Sequence, residues 1–516
     1  MSPETVAPGP APDEAVAGGD RPEAIRRPWP RRLLALLALA VLAVVAGLWF
    51  RGFSFHTWMG DDLYAWAYYE AKPSFDDLFL TASGGKYRPF ATALHWVLFQ
   101  AFPDDFAAWT YSNAGLELLT AFLVFWLVLR VARRDLLIAF AAGLLFITSR
   151  FSYYNVFQVM GTMEALGMLL LVLVLHVSVT YVRRDARWPG FALIGLFLAI
   201  SLTHERYLAL FPFLVLLVIL KGRSSWRARA LELALLCLPP VLNVVLKRYV
   251  FATSVMMGTG GQELGVDPIG ILRYLTKGGA NLVWVNWGPD YLSGITMSET
   301  GGLARLVVAV IVLTIVACAV ASVLRIVRST DTSERRDEVK YFVLWLVLTG
   351  SLLLVASITI RQEYRWLYAP WAVCLVYFFY QYARLPWRRS VSVAVLVFLC
   401  VCIVGMDSYY RRYQGNVFFF YGERIADSGR LATVGRYGDE MAGKTVYLEK
   451  STEVDWIVGH DLLLSPYLGA DYRRIVWVDS FDSLDPKTVQ RDRSVLLRLD
   501  WPARQLVDVT DEVLAP

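Results

Sequence analysis

Residues 31–50 read RRLLALLALAVLAVVAGLWF, two arginines followed by an uncharged apolar run. Such a run approaches the roughly 20 residues that cross a hydrocarbon core as a helix. Arg26, Arg27, Arg31 and Arg32 precede it, which puts the N-terminus in the cytoplasm by the positive-inside rule. A cleaved signal peptide has the same charge order, but the run is long and no small-residue cleavage site stands out. Further apolar runs lie near 111–130, 136–150, 160–182, 190–204, 207–220, 230–248, 303–324, 340–358, 366–383 and 390–406. With the first they make about eleven expected transmembrane helices.

Composition agrees. The 516 residues are 56% hydrophobic and 18% charged, against about 25% charged in soluble proteins. The chain reads as a polytopic α-helical membrane protein. Its net charge of +5 is small, and no nucleic acid partner is expected. Cys237, Cys318, Cys374, Cys400 and Cys402 all lie in apolar runs, so neither a disulfide framework nor a thiolate metal site is implied.

The interruptions alternate in character. Arginine-rich ones at 130–134, 183–187, 221–229, 325–340 and 384–389 are assigned to the cytoplasm. With the N-terminus inside, this parity holds at every crossing. It leaves outside the loop 51–110, the turn at 203–206, the loop 249–302, the turn at 361–365 and everything after about 407. Residues 1–30, rich in Pro, Ala, Gly and acid, are expected to be a disordered cytoplasmic segment. Residues 31–406 form the transmembrane domain. Residues 407–516 alternate short apolar runs (445–448, 475–478, 495–499) with helix-like pieces and read as a small extracytoplasmic α/β domain. Residues 90–102 and 269–287 are candidate interfacial helices. Gly258-Thr259-Gly260-Gly261 resembles a phosphate loop only superficially, since no strand precedes it and no GK[ST] follows.

Four ionisable clusters fall on the outer side. They are Asp61-Asp62, Lys86-Tyr87-Arg88-Pro89, His204-Glu205-Arg206 and the run from Arg361 to Pro370 with Glu363, Arg365 and Tyr368. Each has a bland reading: a solvated loop start, an internal Glu–Arg pair, or snorkelling beside an aromatic belt. Together they put spare carboxylate opposite guanidinium, ammonium and imidazole. Arginine grips phosphate through paired hydrogen bonds, and a carboxylate can serve as general base.

These motifs, in this order and on this side, resemble the GT-C superfamily of membrane glycosyltransferases, in particular its protein O-mannosyltransferase and aminoarabinose-transferase-like branch. The resemblance covers about residues 33–406 and rests on the acidic pair Asp61-Asp62, the YRP element Tyr87-Arg88-Pro89, His204-Glu205 (relatives often have Lys-Glu), and Glu363-Tyr364-Arg365-Trp366-Leu367-Tyr368-Ala369-Pro370. It implies transfer of a sugar from a polyprenyl-phosphate donor to an acceptor (protein, lipid or polysaccharide) at the outer face of a plasma or inner membrane, with inversion. Asp61 is then the general base, and Asp62 orients the acceptor or raises the basicity of Asp61. Lys86, Tyr87, Arg88, His204, Arg206, Arg361, Arg365 and Tyr368 bind the donor phosphate, supported by Glu205 and Glu363. Some relatives hold a divalent metal at the acidic site, but an Asp-Asp pair without DxD spacing points to none, and no other cofactor is expected. Competing classes are a flippase of lipid-linked sugars, a glycan polymerase or ligase, and a membrane-anchored adhesion protein. No internal repeat of the kind transporters carry is visible.

Overall fold

The computed structural model describes residues 29–51, 56–71, 74, 86–103, 105–184, 186, 188–221, 225–252, 266–287, 293–358, 362–485 and 489–514. The stretch 258–261, Arg361 and nearly all of the N-terminal segment lie outside the described residues.

Among the described residues, seven helices are long and apolar enough to cross a membrane: Arg31–Phe50, Phe106–Val131, Gly161–Arg183, Trp226–Val250, Gly302–Arg328, Thr332–Ser357 and Arg389–Arg411. Large apolar side chains stand exposed along them, for example Leu33, Leu48, Leu303 and Leu313. Water would penalise that surface, whereas lipid accepts it. Several helices start on an aspartate cap. Asp105 accepts the amide of Ala108, Asp135 those of Leu137 and Ile138, and Asp331 those of Ser333 and Glu334. Each cap satisfies amides that the first turn leaves unpaired.

The other four expected spans are corrected to shorter helices: Leu136–Ile147, Trp188–Thr203, Phe211–Leu220 and Tyr368–Tyr382. At 1.5 Å per residue, 10 to 16 residues reach only about 15–24 Å. The physical reason is local. Each stops or starts at a polar turn that holds an ionisable group: Arg150, His204, the Glu205–Leu210 3-10 turn, and the Tyr364–Leu367 3-10 turn. Leu136–Ile147 continues through Arg150–Phe157 after a 45° bend, and the two together are long enough to count as an eighth span. Helices Pro89–Ala101 and Pro268–Leu282 occupy the two expected interfacial positions.

The helix Arg389–Arg411 runs past residue 406, so the C-terminal unit begins near 412. Its sheet has the order β2-β1-β3-β4. Strands β1 (Thr445–Glu449), β2 (Ile475–Val478) and β3 (Ser494–Asp500) fall on the three expected runs and pair in parallel. The antiparallel edge strand β4 (Gln505–Asp508) was not expected. Helix Phe418–Ala432 packs on β4 and sends Phe419 and Phe420 into the transmembrane part, where they meet the rings of Tyr154, Tyr153 and Phe157.

Candidate active site at one face of the helical domain

The turn before helix Asp61–Glu70 divides the acidic pair. Asp61 is exposed and Asp62 is buried. One Asp62 oxygen accepts the amide of Met160 at 3.0 Å, and the other has no hydrogen-bond partner. Burial pushes this carboxyl up to about 7, opposed by the amides of Met160 and Val159 and reinforced by the charge of Asp61.

Glu205 is the hub of the basic side. The Arg88 guanidinium grips its carboxylate with two N–H groups, Nε to Oε2 at 2.9 Å and Nη2 to Oε1. Lys247 approaches Oε2 at 3.4 Å. The third Arg88 nitrogen, Nη1, points at the Met163 sulfur at 3.2 Å, so Arg88 is committed to structure. His204 stands between two carboxylates, 3.7 Å from Glu164 and 3.9 Å from Glu205. Arg206 pairs with Glu164 through Nη2, while its buried Nε and Nη1 have no hydrogen-bond partner. Arg365 pairs with Glu363 and lies 4.1 Å over the ring of Tyr154. The Glu363 carbonyl accepts the hydroxyl of Tyr274 from helix Pro268–Leu282.

Lys86 joins the groups electrostatically. Burial lowers its proton affinity, and its ammonium feels Arg88, Glu205, Asp61 and Arg365 together. Tyr154 likewise feels Arg365, Asp61, Glu363 and Glu164. Asp61, Lys86, Arg88, Glu205, Glu363 and Arg365, read from separate stretches of chain, thus share one site. Among the described residues the cluster holds Lys86, Arg88, Arg206, Lys247 and Arg365 against Asp61, Glu164, Glu205 and Glu363. With Asp62 left out of the count, the cations exceed the carboxylates by one.

Two of the expected donor contacts point elsewhere. The Tyr87 ring is stacked on Phe251 with centroids 4.0 Å apart. The Tyr368 ring packs on Phe146 and Trp371, and its buried hydroxyl has no hydrogen-bond partner among the described residues. Three participants escaped the sequence reading. Glu164 is an acid inside an apolar run, which should have marked it. Lys247 is a base at the end of a span that the charge parity assigns to the outer side, against the usual charge rule. Tyr154 gave no signal. No group of three or more His, Cys, Asp or Glu placed to hold a metal occurs among the described residues. An apolar cavity of about 540 Å³, lined by Trp284, Cys318, Phe342, Trp345 and Trp371 among others, shares no lining residue with the cluster.

No protein-family model and no curated protein matches this sequence. Among the solved structures similar to it is ArnT from Cupriavidus metallidurans bound to undecaprenyl phosphate, with 14% identity, 90% of this chain and 92% of that chain covered, and a TM-score of 0.46.

Proposed function

We propose that this chain is an integral-membrane glycosyltransferase that moves a sugar from a polyprenyl-phosphate donor to an acceptor, with Asp61 as general base and inversion at the anomeric carbon. The observation that carries the proposal is the exposed Asp61 carboxylate beside a half-buried cluster whose cations, among the described residues, exceed all the carboxylates by one with Asp61 included. A phosphodiester carries one negative charge, so that excess matches the donor. The attacking acceptor oxygen or nitrogen forms a bond to the anomeric carbon and gives its proton to Asp61. The bond from that carbon to the phosphate oxygen breaks, and its electron pair stays on the lipid phosphate. Lys86, Arg365 and the two spare nitrogens of Arg206 stabilise that growing charge. Arg88, held by Glu205, shapes the pocket and contributes its field. His204 joins the two halves of the cluster. In this proposal no resident metal takes part, the N-terminus is cytoplasmic, and the site faces the extracytoplasmic side of a plasma or inner membrane.

The test uses membranes with radiolabelled polyprenyl-phosphate sugars and cell-envelope acceptor extracted from the source cells. Asp61→Asn is expected to lose about 10²–10⁴-fold in transfer while binding undecaprenyl phosphate as the parent does. Transfer at the parent rate in that variant would remove Asp61 from the reaction.

A further inference from the structure

We infer that the C-terminal domain is the template that holds the Asp61 turn in its working conformation, with Trp456 as the central positioning residue. The inference rests on the reading of Asp61 as the base. Gly60, the residue before Asp61, has φ 53° and ψ −127°. Side chains avoid this backbone region, and holding the chain there takes outside support. The support comes from the domain. The Gly60 amide donates to the Ile457 carbonyl at 2.8 Å. The Trp456 indole lies flush against Gly60, so that a Cβ there would sit 2.6 Å from Cζ3 and 2.8 Å from Cζ2. Phe418 backs the indole at 5.1 Å between ring centroids.

The same grip recurs on both sides of Gly60. The His56 amide donates to Glu423 at 2.9 Å, and the Thr57 and Tyr467 hydroxyls share a hydrogen bond of 2.6 Å. Met59 packs against Gly422, and Leu63 against Gly459. Three glycines therefore let loop and domain close on one another without intervening side chains. From the opposite side the turn is tied by Asp62 to Met160. The donor-side groups Arg88, Arg206 and Arg365 take their partners from Glu205, Glu164 and Glu363, none of which belongs to the domain. Damage to the template is therefore expected to strike the base and spare the donor pocket.

The experiment uses the full-length chain in lipid nanodiscs and three readouts: amide hydrogen exchange of the 57–66 peptide, affinity for undecaprenyl phosphate, and transfer rate from the radiolabelled polyprenyl-phosphate sugars to the extracted acceptor. Trp456→Ala is expected to speed exchange at 57–66 and lower the transfer rate at least tenfold. Its undecaprenyl phosphate affinity should stay within twofold of the parent, and exchange at 161–170 should be unchanged. Trp456→Phe should restore most of the rate. Parent-like exchange and rate in Trp456→Ala overturn the inference, and so does an equal loss of rate and affinity. If Trp456→Ala does not fold, Trp456→Leu and Tyr467→Phe decide by the same readouts. An inactive Asp61→Asn beside a fully active Trp456→Ala removes the template and leaves the base. An active Asp61→Asn removes the base, and the exchange readout then reports on the template alone.

Discussion

Adjacent aspartates need not be equivalent. Asp61 is exposed and open to an incoming acceptor, the position a general base requires. Asp62 is buried with one oxygen on the Met160 amide, which makes it a tether. Its proton is bound more tightly in the folded chain than in the unfolded one, where the ordinary value is 3.8. Its contribution to stability is therefore fully present below about pH 4 and is lost as the pH rises through about 7. The difference corresponds to at most about 4 kcal/mol. Asp62→Asn should accordingly flatten the fall in unfolding midpoint between pH 5 and pH 8, measured against the parent by thermal melting in detergent. Glu205 is the other decisive residue. Glu205→Gln leaves Arg88 and Lys247 facing each other without a shared carboxylate. Breaking such a buried group costs about 3–5 kcal/mol. A lowered melting midpoint with weakened binding of undecaprenyl phosphate is the expected pair of results. An unchanged midpoint would show that the hub contributes nothing to the fold.

At the scale of elements, the bent segment from Arg150 to Met160 does the most with the fewest residues. Arg150 is fully buried, donates to the Asn281 carbonyl at 3.2 Å and lies 4.6 Å over the ring of Tyr410. Asn113 donates to the Gln158 carbonyl at 2.8 Å, and Met160 holds Asp62. Tyr154 offers its ring to Arg365. A desolvated cation–π contact contributes about 2 kcal/mol, so Tyr154→Ala should weaken undecaprenyl phosphate binding about tenfold or more. Tyr154→Phe keeps the ring face and should bind as the parent does. A calorimetric titration separates the two. None of this segment was visible in the sequence as a unit. Two apolar runs with nine residues between them look like a span, a short turn and a span. A bend depends on which side chains receive the freed backbone groups, and these come from distant helices.

At the scale of the molecule, contacts put the Asp61 turn, the basic cluster and the C-terminal domain on one face. Positive-inside counting names that face extracytoplasmic. A single cysteine placed at the exposed Trp501 position of the C-terminal domain should therefore react with a membrane-impermeant maleimide in intact cells. Protection until the cells are lysed would invert the topology. Among the described residues the cluster's cations already outnumber its carboxylates, which disfavours a further cation there. Transfer measured after dialysis against EDTA should match the untreated rate, and a loss restored by a divalent cation would bring a metal into the reaction.

Hydropathy alone determined that the chain is membrane-bound and helical, because lipid admits a spanning backbone only when its polar groups pair within the segment. Charge asymmetry alone gathered Asp61, Arg88, Glu205 and Arg365 on a common side, and the alternating runs at 445–448, 475–478 and 495–499 foretold three of the four strands. Only the tertiary structure decided which helices stop short and which aspartate keeps its water. It also showed that Arg88 is bound while Arg206 has nitrogens to spare, and that the domain after residue 412 is moulded to Gly60. Periodicity and charge are properties of a segment and survive in one dimension. Burial, pairing and the fit of an indole against a glycine depend on which distant segments meet, and the membrane signal says nothing about that.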